Sequence, residues 1–151
     1  LALTERYHDF GSLGATHMSD GFMRLLAICA LPELGDHASL ILLDEVEDGI
    51  ELHILGDLIN LVTRESTAQI IATSHSPLLA NSVGVDRIRF ISRDGDGRTF
   101  ATRAAAMPTF QTGSDYLGPG EMWTLAENHV LQSEAAELNT ANGAQGGLIS
   151  L

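Results

Sequence analysis

The sequence predicts an α/β fold, a parallel sheet with helices on both faces, and three observations predict it. Two short, continuous apolar runs, Ser39–Leu43 and Gln69–Thr73, are bounded by turn-forming or charged residues, as expected for strands buried on both faces. Between them, about Ile50–Thr63, the residues Ile54, Leu55, Leu58, Ile59 and Val62 recur at helical spacing. A strand, a helix and a strand in that order imply a crossover connection, and a crossover implies parallel pairing.

The remaining elements follow in chain order. Leu1–Met18 contains glycine and shows no clear period, so it reads as loop with room for a short strand. Ser19–Asp20–Gly21 opens a helix: a small polar cap, then an acid at the positive helix end, then Phe22, Leu25, Leu26 and Cys29 on one face. Pro32 and Gly35 close it. After the second apolar run, a short helix is expected over Leu78–Asn81. A third strand, Asp86–Ser92, turns at Asp94–Gly95–Asp96–Gly97 into Arg98–Arg103, since Asp-Gly steps favour hairpins. Gly120–Leu138 has a helical composition, with Met122, Leu125 and Val130 as anchors. The Asn/Gly/Ala-rich tail, Asn139–Gly147, is expected to fray. There is no internal repeat.

Composition narrows the class. A chain of 151 residues with a hydrophobic fraction of 44% is one ordinary domain with enough apolar surface for a core. No apolar run reaches the roughly 18–20 residues of a membrane span. Leu25–Leu31 follows Arg24 without a cleavage site, so it does not read as a signal peptide. The formal net charge is −12, from 20 acids against 8 basic residues, and it repels phosphate backbones at long range. Nucleic acid is therefore a poor partner for this segment. Every basic residue is an arginine; there is no lysine. The single Cys29 sits in an apolar run, where it reads as a small buried side chain in a reducing cytoplasm. The chain opens on Leu1 rather than Met, and the expectation is a truncated reading frame.

Three motifs stand at element ends. Leu40–Ile41–Leu42–Leu43–Asp44–Glu45 is a strand closing on two carboxylates. One can serve a Mg²⁺ on nucleotide phosphates and the other an attacking water. Strand-terminal acids are also common without any such role. Met18–Ser19–Asp20–Gly21–Phe22–Met23–Arg24 offers a hydroxyl, backbone N–H groups and a helix dipole to an anion, or is simply a helix cap. Thr73–Ser74–His75–Ser76–Pro77 sets a histidine just past a buried strand, able to meet a terminal phosphate or to rest as a loop histidine. In open parallel sheets, ligands bind beyond the carboxyl ends of the strands, which is where Asp44, Glu45 and His75 fall.

Taken together and in this order, the motifs resemble the C-terminal half of ABC-type P-loop ATPases. M-S-D-G-F-M-R is similar to the L-S-x-G-x-x-R signature, L-I-L-L-D-E to a Walker B strand, and T-S-H-S-P to a switch-histidine loop. D-E-V-E-D-G-I and S-H-S-P-L-L look most like the soluble group of RecF-like, SMC-like and overcoming-lysogenisation-defect-like AAA-family ATPases. The likeness covers Met18–Asn81, and more loosely the R-D-G-D-G-R-T hairpin and the G-E-M-W helix. The resemblance implies ATP and Mg²⁺ as cofactors. It implies that Asp44 holds the metal through water, that Glu45 polarises the hydrolytic water, and that His75 touches the γ-phosphate. Ser19 and Gly21 would contact ATP bound to a second protomer, and Arg24 would orient the signature helix. The family often has proline where Val46 stands and Asp or His where Glu51 stands. Glu47 and Asp48 remain candidates for a role in this turn.

One part is missing. Triphosphate binding in P-loop enzymes depends on G-x-x-x-x-G-K-[ST], whose backbone N–H groups and lysine hold the phosphates. No such segment and no arginine substitute for it occurs here, nor does a glutamine loop ahead of the signature. Residues 1–138 are therefore expected to be the C-terminal part of an ABC-type ATPase domain without its Walker A half, and 139–151 a flexible tail. By resemblance the absent P-loop strand lies between the strands near Ile70–Thr73 and Arg87–Ile91. The expected partners are that half, in cis or in trans, and a second protomer. The alternative is a non-catalytic subunit or remnant that binds a partner carrying the P-loop half.

Other chemistries fit less well. There is no G-x-S-x-G elbow for a nucleophilic serine. Ala105 stands where a calcium loop starting at Asp94 needs its closing glutamate. The six histidines lack zinc-ligand spacing, and no Toprim-like acidic motif follows.

Overall fold

The computed structural model describes residues 2–4, 12–112 and 116–143. The expectations for 5–11 and for 144–151 lie outside the described residues. The chain forms two compact units, Leu1–His75 and Ser76–Leu151. Each follows from its own sequence.

The first unit opens with a short antiparallel pair, β1 (Ala2–Thr4) and β2 (Ser12–Gly14), and a 3₁₀ turn over Ala15–His17. Helix α1 (Asp20–Cys29) starts as the cap residues predict: Ser19 is extended, and its Oγ accepts from the Phe22 N–H at 3.2 Å. The buried face differs from the expected one. Ile28 is the residue that α1 buries, Phe22, Leu25 and Leu26 are half-buried, and Cys29 is exposed. Adjacent helix positions lie about 100° apart, so burying Ile28 turns Cys29 outward. A 3₁₀ segment, Leu31–His37, then carries Pro32 in its first turn and breaks at Gly35, whose φ is 49°.

Strands β3 (Leu40–Leu43) and β4 (Gln69–Ala72) pair in parallel, Leu40 opposite Gln69 and Leu43 opposite Ala72, joined through α2 (Leu52–Glu65). This is the predicted α/β unit. Helix α2 buries Leu55, Leu58, Ile59 and Val62 at the expected period, while Ile54 remains 42% exposed. With Ile28, Ile41, Val46 and Ile50 these residues form the core of the unit. The strands are not buried on both faces as the apolar runs suggested. Ile41 is buried, but Leu40, Leu42 and Ile71 are 47%, 69% and 48% exposed. In a parallel register those three share one face. That face is partly exposed, and β4 pairs only with β3 among the described residues.

The second unit begins with α3 (Pro77–Val83), capped by Ser76, whose Oγ accepts from Leu79 N–H at 3.3 Å. A 3₁₀ turn (Val85–Arg87) leads into the antiparallel hairpin of β5 (Arg89–Arg93) and β6 (Thr99–Arg103). The Asp-Gly turn forms as predicted. Asp94 Oδ1 accepts from the N–H groups of Asp96 and Arg98 at 3.0 and 2.8 Å, and Gly97 takes a φ of 85°. After a 3₁₀ turn (Ala104–Ala106) come α4 (Pro108–Gln111), α5 (Pro119–Leu125) and α6 (Asn128–Gly143). The single helix expected over Gly120–Leu138 is thus two, because Ala126 is extended with ψ of 140°. Of its expected anchors, Met122 is buried, Val130 half-buried and Leu125 72% exposed. The break lets α6 present Leu131 and Ala135 to a core shared with Ala104, Met107, Phe110 and Met122, against which Trp123 packs. Helix α6 continues past Leu138 to Gly143. Among the described residues no helix is long and apolar enough to cross a membrane.

Candidate functional site

The predicted acids stand at the carboxyl end of β3, where backbone and side chains converge. The ladder runs one step beyond the strands: Thr73 N–H donates to Leu43 C=O at 2.8 Å, and Val46 N–H to Thr73 C=O at 3.0 Å. Between these bonds the Thr73 hydroxyl accepts from Glu45 N–H at 2.8 Å and donates to Asp44 Oδ1 at 2.6 Å. Thr73 therefore orients both members of the acidic pair. Thr73 stands in T-S-H-S-P, where the sequence alone marks no role for it. Its place, level with Asp44 across a parallel register, was the available signal.

Glu45 is the single non-glycine residue of positive φ, 45°, among the described residues. Such a backbone costs about 1 kcal/mol or more and persists where its surroundings impose it. Here Thr73 holds its N–H, and Arg24 reaches its carbonyl at 2.6 Å and that of Asp44 at 2.5 Å. The result is an exposed carboxylate on a clamped backbone. Arg24 also lies 3.6 Å from the Asp48 carboxylate, which is 73% exposed, so the pair adds little stability. Arg24 of the helix motif thus meets the backbone carbonyls of both acids of the strand motif.

Gly21 has a packing reason for being glycine. A Cβ there would overlap the carbonyl oxygen of Gly49, whose own φ of 69° suits the turn after β3. The first turn of α1 consequently rests on the turn that follows the acids. The Ser19 hydroxyl is engaged in capping its own helix.

His75 ends the unit with an exposed ring. Its backbone N–H donates to Glu47 Oε1 at 2.5 Å. Burial acts to raise the Glu47 pKa. The His75 N–H, its own backbone N–H, the Ser74 hydroxyl and the charge of the His75 ring outweigh that and hold it below the ordinary glutamate value. This contact, too, was not visible in the sequence.

The donor set decides which groups could bind. Among the described residues no three His, Cys, Asp or Glu side chains gather into a metal cage. Mg²⁺ in phosphate-transfer sites needs no such cage, being held by one or two carboxylates, waters and the phosphates themselves. An exposed Asp44 with one oxygen fixed by Thr73 fits that requirement. The triphosphate itself is not provided for. The open cleft beside Asp44 is lined mainly by apolar groups, including Ala27, Ile28, Leu31, Leu42 and Val46. Its one cation, Arg24, is already bound to carbonyls.

Residues 7–81 match a family model described as "AAA domain, putative AbiEii toxin, Type IV TA system". The match is a likeness to AAA-type ATPases, which are nucleotide-binding P-loop proteins. No curated protein matches the chain.

Proposed function

We propose that this chain supplies the signature, Walker B and switch-histidine segments of an ABC-type ATP-hydrolysing dimer whose P-loop lies outside these residues. The observation that carries this reading is the clamped Glu45. Its strained backbone is held from β4 by Thr73 and from α1 by Arg24, while its carboxylate is left exposed beside Asp44.

In this reading bound ATP·Mg²⁺ supplies the transferable γ-phosphate and the neutralising ion. Asp44, its Oδ1 fixed by the Thr73 hydroxyl, would hold the Mg²⁺. Glu45 accepts the proton of the attacking water. His75 meets the γ-phosphate. Ser19 and Gly21 face the nucleotide of a second protomer, and Arg24 keeps their helix in step with the acids. The exposed Leu40, Leu42 and Ile71, with β4 paired only to β3 among the described residues, support a complement that packs there, in cis or in trans. A cytoplasmic setting agrees with this chemistry.

The test is to join the chain to the upstream or partner segment bearing G-x-x-x-x-G-K-[ST] and measure ATP turnover with and without Glu45→Gln. Turnover that collapses in the variant supports the proposal. Full turnover in Glu45→Gln sinks it. The same bare face also suits the second reading, a non-catalytic subunit that binds a P-loop partner. Tight association with no turnover in either form would favour that one.

A further inference from the structure

The turn after β3 contains four acids, Asp44, Glu45, Glu47 and Asp48, and one behaves unlike the others. Asp44, Glu45 and Asp48 are exposed, as carboxylates in a polar turn should be. Glu47 is turned inward. Its Oε1 accepts the His75 backbone N–H at 2.5 Å, and its Oε2 is sealed from solvent with no hydrogen-bond partner. An oxygen so enclosed costs free energy, so something must offset it.

The position of the N–H explains what is gained. The β3–β4 ladder ends with the bonds at Thr73. The amide of His75 lies beyond it and takes a side-chain partner 28 residues away in the chain. Glu47 is itself held in a tight turn, with Asp48 N–H donating to Glu45 C=O at 2.9 Å and Ile50 N–H to Glu47 C=O at 3.0 Å. The backbone that carries Glu45 and the backbone that carries His75 are therefore joined through one carboxylate.

We infer that Glu47 is a positioning residue: by holding the His75 amide, it fixes the histidine loop relative to Glu45. The lowered pKa of Glu47 agrees, because a carboxylate accepting N–H bonds favours its charged form. The catalytic weight of this link rests on the proposed ATPase reading, in which Glu45 and His75 act on the same phosphate. Misplacing such a pair by about 1 Å can lower a rate by about 100-fold.

The experiment uses the full chain, isotopically labelled, with Glu47→Ala and Glu47→Gln. The His75 amide proton is expected downfield and protected in the wild type. In Glu47→Ala it moves upfield and exchanges about tenfold faster or more, while the Ile71 amide inside β4 is unchanged. Glu47→Gln keeps a neutral acceptor and restores part of the protection. A His75 amide indifferent to both variants overturns the link. In the assembly containing the P-loop half, Glu47→Ala is expected to lower kcat about tenfold or more with KM unchanged, and Glu47→Gln to recover part of it. Equal kcat in Glu47→Ala overturns the positioning role. If the wild-type assembly has no turnover, the ATPase reading fails, and the amide measurements still decide the link.

Discussion

The two units solve the same problem differently. The second closes its own core: Met107 and Leu131 are fully buried, and Glu134 of α6 accepts from the Thr109 N–H and hydroxyl at the start of α4 at 2.9–3.1 Å. The first buries one face of its parallel pair under its own residues and leaves Leu40, Leu42 and Ile71 exposed on the other. It is also the unit that holds every predicted site residue. In the proposed reading, a sheet with one packed and one exposed face, carrying the acids at its end, is part of a larger site. The difference teaches that a parallel pair can place its strand-end acids while one of its faces stays exposed.

The largest effect that could break this comparison is catalytic. The isolated chain is expected to hydrolyse ATP at background rate, since its sequence holds no G-x-x-x-x-G-K-[ST] loop. Robust turnover by pure material would refute the division of labour. Once the P-loop half is supplied, Glu45→Gln should lower turnover by about 10²–10⁴-fold, the usual worth of a general base.

Stability comes next. Leu131→Ala, in the closed unit, should cost about 2–5 kcal/mol in chemical denaturation. Leu42→Ala, on the bare face, should cost the isolated chain well under about 1 kcal/mol, because little contact is lost. After the P-loop half is added, the Leu42 variant should weaken association. Similar costs at both positions in the isolated chain would mean that the bare face is already covered.

A smaller effect separates packing from ligand contact at Gly21. Gly21→Ala should destabilise the first unit by about 1–3 kcal/mol, since a Cβ collides with the Gly49 carbonyl and backbone must shift. An unchanged denaturation midpoint would remove the packing explanation and leave nucleotide contact alone.

The smallest is the acid response of Glu47. Its folded pKa is lowered, so its contribution is present above the ordinary glutamate range and fades as pH falls through the folded value. Acid titration of the wild type and Glu47→Gln should show the difference between them at neutral pH shrinking below about pH 4, near the unfolded glutamate pKa. A difference that grows with acidity would reverse the sign of the argument.

Much of the site was legible because its parts are local. An apolar run ending in Asp44–Glu45, a Ser19 cap, and a histidine after the second strand can each be read from neighbours in the chain. Helix α2 was legible through its period, which depends on the helix alone. Other features needed distance to close. Thr73 meets Asp44 across 29 residues, Arg24 reaches the Asp44 carbonyl across 20, and Glu47 finds His75 across 28. No local pattern records such contacts, because side-chain polarity says that a partner is needed and not which one.

By itself the sequence determined the α/β alternation, the parallel pair, the Asp-Gly hairpin, and the absence of a lysine loop. These follow from backbone periodicity, turn chemistry and residue inventory, all of which are short-range or countable. Only the tertiary structure decided that Ile28 rather than Cys29 turns inward, that the helix after Gly120 breaks at Ala126, and that one face of β3 and β4 is bare. An apolar run announces the wish to be buried; whether something lies above it depends on packing between distant segments.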